Sequence, residues 1–259
     1  MGNFKIFYRR NLPHYQPQGH TYFATFRLVD SLPRNIILEL KAEYEIILKK
    51  IAGVKNKDTK YFMYEEMKFE YFEKFDSFLD KYQNDIDWLS NTEVANIVKD
   101  AIHYRDKKEY DLIAYTIMPN HVHLVFRLTE NNFVGRADLP DQPREGKTVD
   151  EQNCSLYKDA GQANIPRVSK AEKTVGEQNC SPYIVTHILK SLKWYTAVEC
   201  NKILKRSGSF WQHESYDHVI RNEEELIKII EYVLLNPVKA GLIKKCEDWK
   251  WSYCNFENL

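Results

Sequence analysis

The sequence predicts an α+β fold, an antiparallel sheet covered by helices. Three observations carry this: a strand followed by a long helical stripe, two strands joined by a tight turn, and a late strand followed by a strongly amphipathic helix. Residues 21–28 (TYFATFRL) read as the first strand, and Ile36, Ile37, Leu40, Tyr44, Ile47, Leu48 and Ile51 then fall on one side of a helix. Residues 61–82, rich in aromatics and acids, continue as helix. Ser90, with Glu93 three residues on and Val94, Ile97, Val98 and Ile102 behind it, predicts a capped amphipathic helix. Residues 111–117 and 121–128 alternate as strands around Met118-Pro119-Asn120, whose turn chemistry implies an antiparallel hairpin. Further on, Ile184, Val185, Ile188, Leu189, Leu192 and Tyr195 mark a helix and 216–220 a short strand. Asn222, with Glu225 three residues later, caps a last helix whose buried face is Leu226, Ile229, Ile230, Val233 and Leu234. The order of elements is close to a split β-α-β pattern with extra helices.

A chain of 259 residues that is 43% hydrophobic and 29% charged can bury a core and is not disordered. Its mean hydropathy is −0.57, and it has no uncharged apolar run of bilayer length and no secretory h-region at its start. A cytoplasmic protein is expected. Five cysteines, an odd number without a C-x-x-C pair, argue against a disulfide frame or a thiolate zinc site.

The formal charge is zero, with 37 basic and 37 acidic residues, which argues against nucleic-acid binding through the overall field. The distribution is uneven. Residues 1–56 carry nine Lys/Arg against four Asp/Glu, 184–245 carry ten against seven, and 57–89 carry five against nine, so basic ends flank an acidic middle. That pattern leaves room for a local basic surface.

A near-repeat organises the middle of the chain: Lys147 to Tyr157 recurs as Lys173 to Tyr183, and Cys154 and Cys180 are its two copies. Two copies make no solenoid. The surrounding stretch is polar, rich in Gly and Pro, and without period, so it reads as a flexible insertion. The expected organisation is one domain in two parts, 1–130 with extra helices about 57–105, and 184–259, interrupted by the insertion 131–183.

The chemistry centres on His121-Val122-His123. Alternation in a strand puts both imidazoles on one face, roughly 7 Å apart, with Val122, Leu124, Phe126 and Leu128 on the other, core-facing side. Two histidines so placed can converge on one ion. About a quarter of one such pair is expected by chance, and the pair reads equally as two surface histidines. On the last helix Tyr232 and Asn236, i and i+4, lie off the apolar stripe and project from the same side, a spacing that suits a nucleophile beside a metal ligand. Asn236-Pro237 reads also as an ordinary helix stop.

These residues stand within a longer ordered set: Tyr8-Arg9-Arg10, Gly19-His20-Thr21-Tyr22-Phe23, Met118-Pro119-Asn120-His121-Val122-His123, Ser191-Leu192-Lys193-Trp194-Tyr195-Thr196, Phe210-Trp211-Gln212, Tyr216-Asp217-His218-Val219-Ile220-Arg221, and Glu231-Tyr232 through Asn236-Pro237-Val238-Lys239-Ala240-Gly241. The set resembles the REP-associated tyrosine transposases, single-tyrosine HUH-type insertion-sequence transposases. The resemblance spans Tyr8 to Gly241 and leaves the acidic middle and the repeat insertion without counterparts. It implies a ferredoxin-like sheet covered by helices, and a divalent metal, Mg2+ or Mn2+, on His121, His123 and Asn236. It also implies Tyr232 as the nucleophile of a 5′-phosphotyrosine intermediate, and cleavage and rejoining of single-stranded or hairpin DNA by a nucleoid-associated protein, working alone or as a homodimer. Arg9, Arg10, His20, Lys190, Lys193, Trp194 and Arg221 are then the DNA-binding candidates, holding phosphates and stacking bases, with ordinary solvated charge the alternative for each. Two other classes stay open: a hairpin binder without cleavage, and a metal-dependent phosphodiesterase using activated water.

Overall fold

The computed structural model describes residues 7–9, 13–15, 20–81, 86–128 and 184–256. Two short strands, β1 (Phe7–Arg9) and β2 (Pro13–Tyr15), pair with each other. Then come β3 (Thr21–Arg27), helices α1 (Arg34–Ala52) and α2 (Lys57–Lys81), a 3-10 turn (Trp88–Ser90) and α3 (Thr92–Arg105). The hairpin β4 (Asp111–Ile117) and β5 (His121–Arg127) is followed by α4 (Ile184–Ile203), β6 (Tyr216–Ile220), α5 (Glu223–Lys239) and β7 (Ser252–Cys254). The insertion 131–183, its two cysteines and both boundaries of the expected domain division lie outside the described residues.

The main sheet is antiparallel, in the order β6-β3-β5-β4-β7. Counted by the four expected strands this is the 4-1-3-2 order of a ferredoxin-like sheet, with β7 added at the β4 edge. β5 is central, paired along its whole length with β3 and β4.

Both faces of this sheet are buried. Tyr22, Ala24, Phe26, Val122, Leu124 and Phe126 pack against Val94, Val98 and Ile102 of α3 and Val185, Ile188 and Leu192 of α4. Phe23 and Val125 lie on the opposite face with Phe72 of α2 and Leu226, Ile229, Ile230 and Val233 of α5. A bulge at Ile113 in β4 shifts the register, so that Leu112 and Ala114 serve opposite faces. The α2 residues Phe72, Asp76 and Leu79, at i, i+4 and i+7, are the buried side of that helix, and Tyr44 and Ile51 of α1 pack with Met67 behind it.

Two helix ends differ from expectation. α3 is capped by Asn91, whose side chain accepts from the backbone N–H groups of Glu93 and Val94, while Ser90 ends the preceding 3-10 turn. α5 does not stop at Asn236-Pro237 but runs on to Lys239 with the proline inside its last turns. There the missing N–H removes one bond, and the chain leaves the helix at Gly241 with φ 72°. The Asn222 cap of α5 is present, its side chain accepting from Glu225 N at 2.8 Å.

Among the described residues Cys200, Cys246 and Cys254 are free thiols, and no helix is long and apolar enough to cross a membrane.

Candidate active site

His121 and His123 stand in the centre of the sheet and are wholly buried, at 0% exposure. Strand alternation expects this face to be open; α2 and α5 cover it instead. Each imidazole is fixed through Nδ1. His121 Nδ1 lies 2.6 Å from Asn120 Oδ1, and Asn120 Nδ2 donates to the carbonyl of Leu79 at 3.0 Å, which settles the amide's orientation. His121 therefore carries its proton on Nδ1. His123 Nδ1 is 2.7 Å from Thr25 Oγ1, across the β3–β5 pairing. Both Nε2 atoms turn to the same place, 3.1 Å apart.

A carboxylate that sequence reasoning did not single out faces them. Asp76 of α2 lies 3.3 Å from His123 Nε2 and 3.7 Å from His121 Nε2. Tyr232 Oη donates to Asp76 Oδ2, and Asn236 Nδ2 donates to the same oxygen at 3.1 Å. The helical continuation through Pro237 keeps Tyr232 and Asn236 one turn apart on the same side, and Asn236 is buried. Tyr232 is half-buried rather than peripheral, its ring among Phe23, Phe72 and His123 with Lys239 Nζ 4.6 Å from its centroid. The signal for Asp76 was present in the sequence as an acid on the Phe72–Leu79 stripe, at the spacing where an apolar residue is expected.

The charges are set by burial and by one another. Burial alone raises the Asp76 carboxyl, but the imidazoles of His123 and His121 and the Tyr232 hydroxyl outweigh it and hold the group down at about 2. Burial pushes His121 down to about 3, so its ring is neutral. The Tyr232 phenol is pushed far above its ordinary value, first by burial and then by the Asp76 charge. Asp80, one turn beyond Asp76, is raised to about 7 by burial and by Asp76.

The cluster fits a cation on its own geometry. Asp76 and the two histidines form a buried group able to hold a metal ion. Asp76 Oδ1 and Asn236 Oδ1 are both buried without a hydrogen-bond partner, and both imidazole Nε2 atoms turn inward beside them. Unpartnered oxygens around a buried anion are what a missing positive charge leaves behind.

The chain resembles proteins of known family. A Haemophilus influenzae protein provisionally named as a REP-associated tyrosine transposase is 22% identical over 148 residues, covering 55% of this chain and 58% of that protein. A REP-associated tyrosine transposase of Escherichia coli is 36% identical over 44 residues, 17% of this chain and 27% of that protein. These matches therefore span little more than half, and about a quarter, of the relatives' own lengths. A solved structure of a REP-associated tyrosine transposase bound to a REP hairpin aligns over 97% of this chain and 82% of its own, with 16% identity and a TM-score of 0.45. No protein-family profile matches the chain.

The remaining candidates are dispersed. Arg10 and the side chain of Arg9 lie outside the described residues. His20 and Arg221 are exposed, and Arg221 borders a groove beside Tyr232 with Lys228 and Lys239. Lys190 and Trp194, the latter 65% exposed, line a separate pocket with Trp211 and His213. Lys193 is engaged within the chain. Its ammonium donates to the carbonyls of Gln212 at 2.7 Å and His213 at 2.9 Å and to Ser215 Oγ at 3.0 Å, tying α4 to the segment before β6. His218 Nε2 bonds Glu225 Oε1 at 2.8 Å, joining β6 to α5.

Proposed function

We propose that this chain is a metal-dependent nuclease and strand transferase acting on single-stranded, hairpin-bearing DNA through a 5′-phosphotyrosine intermediate. One observation carries the reading: a phenol, two inward-turned imidazoles and a carboxamide meet at a single carboxylate within one chain. The relatives' names agree with it, and a protein of that name has been solved bound to a REP hairpin.

In this reading His121 Nε2 and His123 Nε2 hold Mg2+ or Mn2+, with Asn236 Oδ1 as a further donor. The ion supplies Lewis-acid polarisation of the scissile phosphate when bound. The chain's own residues do the rest. Tyr232 Oη attacks phosphorus in line, the Oη–P bond forms as the P–O3′ bond breaks, and the departing oxygen takes a proton to become a free 3′-OH. The phenolic proton already points to Asp76 Oδ2, which is its acceptor. An unassisted tyrosine costs about 4 kcal/mol to ionise at neutral pH, and burial and the Asp76 charge raise that cost for Tyr232, so a bound cation would have to offset it. Rejoining is the reverse and needs no ATP, because the phosphotyrosyl bond conserves the energy of the one it replaced. The groove beside Tyr232 is of mixed charge, Arg221, Lys228 and Lys239 standing with Glu73, Glu224, Glu225 and Glu231, so any phosphate contacts there would fall to individual cations.

The test is to incubate the chain with labelled single-stranded hairpin DNA and Mn2+ and look for a denaturation-resistant adduct. Tyr232→Phe is expected to abolish the adduct and the cleavage while leaving DNA binding intact. Cleavage that survives in Tyr232→Phe would instead identify a phosphodiesterase using activated water, and binding without any cleavage by the wild-type chain would leave only a hairpin binder.

A further inference from the structure

The acidic middle segment, which has no counterpart in the resemblance, reaches the centre of the site through Asp76. We infer that Asp76 is itself a ligand of the cation, so that the centre is a two-histidine, one-carboxylate site assembled from the sheet and helix α2. The inference rests on the metal-dependent reading above and adds to it a donor from an unexpected element.

Donor spacing is the first argument. Donors about 2.1 Å from one ion sit roughly 3.0 Å apart in octahedral and about 3.4 Å apart in tetrahedral arrangement. Here the imidazole nitrogens are 3.1 Å apart, and the carboxylate lies across both of them, Oδ2 3.3 Å from His123 and Oδ1 3.7 Å from His121. One ligand atom from each of the three residues lies within 4.8 Å of the other two, close enough for all three to reach one ion.

Satisfaction of the carboxylate is the second. Asp76 is 1% exposed, and its Oδ1 has no hydrogen-bond partner, whereas Oδ2 receives both Tyr232 and Asn236. One oxygen is thus oriented by neighbours and the other is left for a cation, which is how a ligating carboxylate is commonly held. Asn236 then acts on two levels, steadying Asp76 through Nδ2 and offering its own unpartnered Oδ1 to the same space.

Chemistry of the donor set is the third. Two imidazoles alone favour zinc and the later transition metals, while carboxylate oxygen suits Mg2+ and Mn2+. Adding Asp76 brings a hard, anionic donor to the pair and shifts the site toward the ions the proposed reaction uses. The helix carrying it is anchored one turn later, where Leu79 accepts from Asn120, the residue that orients His121. Metal, sheet and α2 are in this way linked through one short network.

Two measurements on the full, metal-stripped chain test this. Calorimetric titration with Mn2+ is expected to give one site in the wild-type chain, lost in His121→Ala and weakened at least tenfold in Asp76→Asn. In parallel, hydrogen exchange of the wild-type amides in residues 72–81 is expected to slow when Mn2+ is added, a readout that needs no folded variant. Wild-type affinity in Asp76→Asn, or exchange in 72–81 indifferent to Mn2+ while the ion binds, overturns the inference and leaves the two-histidine centre standing. Absence of Mn2+ binding by the wild-type chain overturns both.

Discussion

Each imidazole of the central pair is oriented through the nitrogen it turns away from the site, His121 by Asn120 and His123 by Thr25. Removing such a partner frees the ring and typically costs 10- to 100-fold in metal affinity. Asn120→Ala is therefore expected to weaken Mn2+ binding within that range by titration calorimetry, and it also removes the donor that anchors Leu79. Lys193 gives a pH-dependent counterpart away from the centre. Burial lowers its ammonium to about 8, below the unfolded value near 10.5. Between those two pH values the unfolded chain binds more protons than the folded one, so this lysine's contribution makes stability rise with pH across the window and is flat below it. Denaturant unfolding of wild type minus Lys193→Met, measured at pH 7 and at pH 10, is expected to show that difference moving in favour of the wild type. At this scale the sequence was informative about His121, His123, Tyr232 and Asn236, because motif and spacing mark them. Asp76 is harder to single out because it stands among nine acids in residues 57–89, and only its place on the Phe72–Leu79 stripe distinguishes it.

Helices and strands with regular periods were legible to within a few residues: β3, β4, β5, β6, α1, α3, α4 and α5 stand where their hydrophobic patterns put them, and α2 where its richness in aromatics and acids did. Ends were less so. Ser90 with Glu93 has the form of a capping box, yet Asn91 one residue on supplies the cap, since its side chain reaches both Glu93 N and Val94 N. Asn91→Ala is expected to destabilise the fold by about 1 kcal/mol in chemical denaturation, with Ser90→Ala nearly neutral by comparison. Pro237 misled for a different reason. The local preference against a helical residue before proline is outweighed where Asn236 is buried and bonded to Asp76. The three-residue strands β1, β2 and β7 have no period to detect, and β7 owes its pairing to Trp249 and Trp251, which bond and accept from the backbone of Ile117.

Across the molecule, the sheet is a middle layer with α3 and α4 on one side and α2 and α5 on the other. Alternation in β5 correctly assigned its two faces but not the cover over the second one. Phe23 and Val125 on that face are the apolar residues that report it, since a face open to water has little use for them. A cation held between the sheet and α2 joins two layers, so its binding energy becomes part of the energy holding the layers together. Mn2+ at about 100 times its dissociation constant is expected to add roughly 2.7 kcal/mol to the unfolding free energy, read as a raised Tm that EDTA reverses. His123→Ala is expected to abolish that rise.

The phenol of Tyr232 and the imidazole of His123 meet through Asp76 within one chain. If the site works as this single chain places it, the two lesions do not complement each other. Mixing Tyr232→Phe protein with His123→Ala protein is expected to restore no adduct, since every subunit in the mixture inherits a broken half of its own machinery.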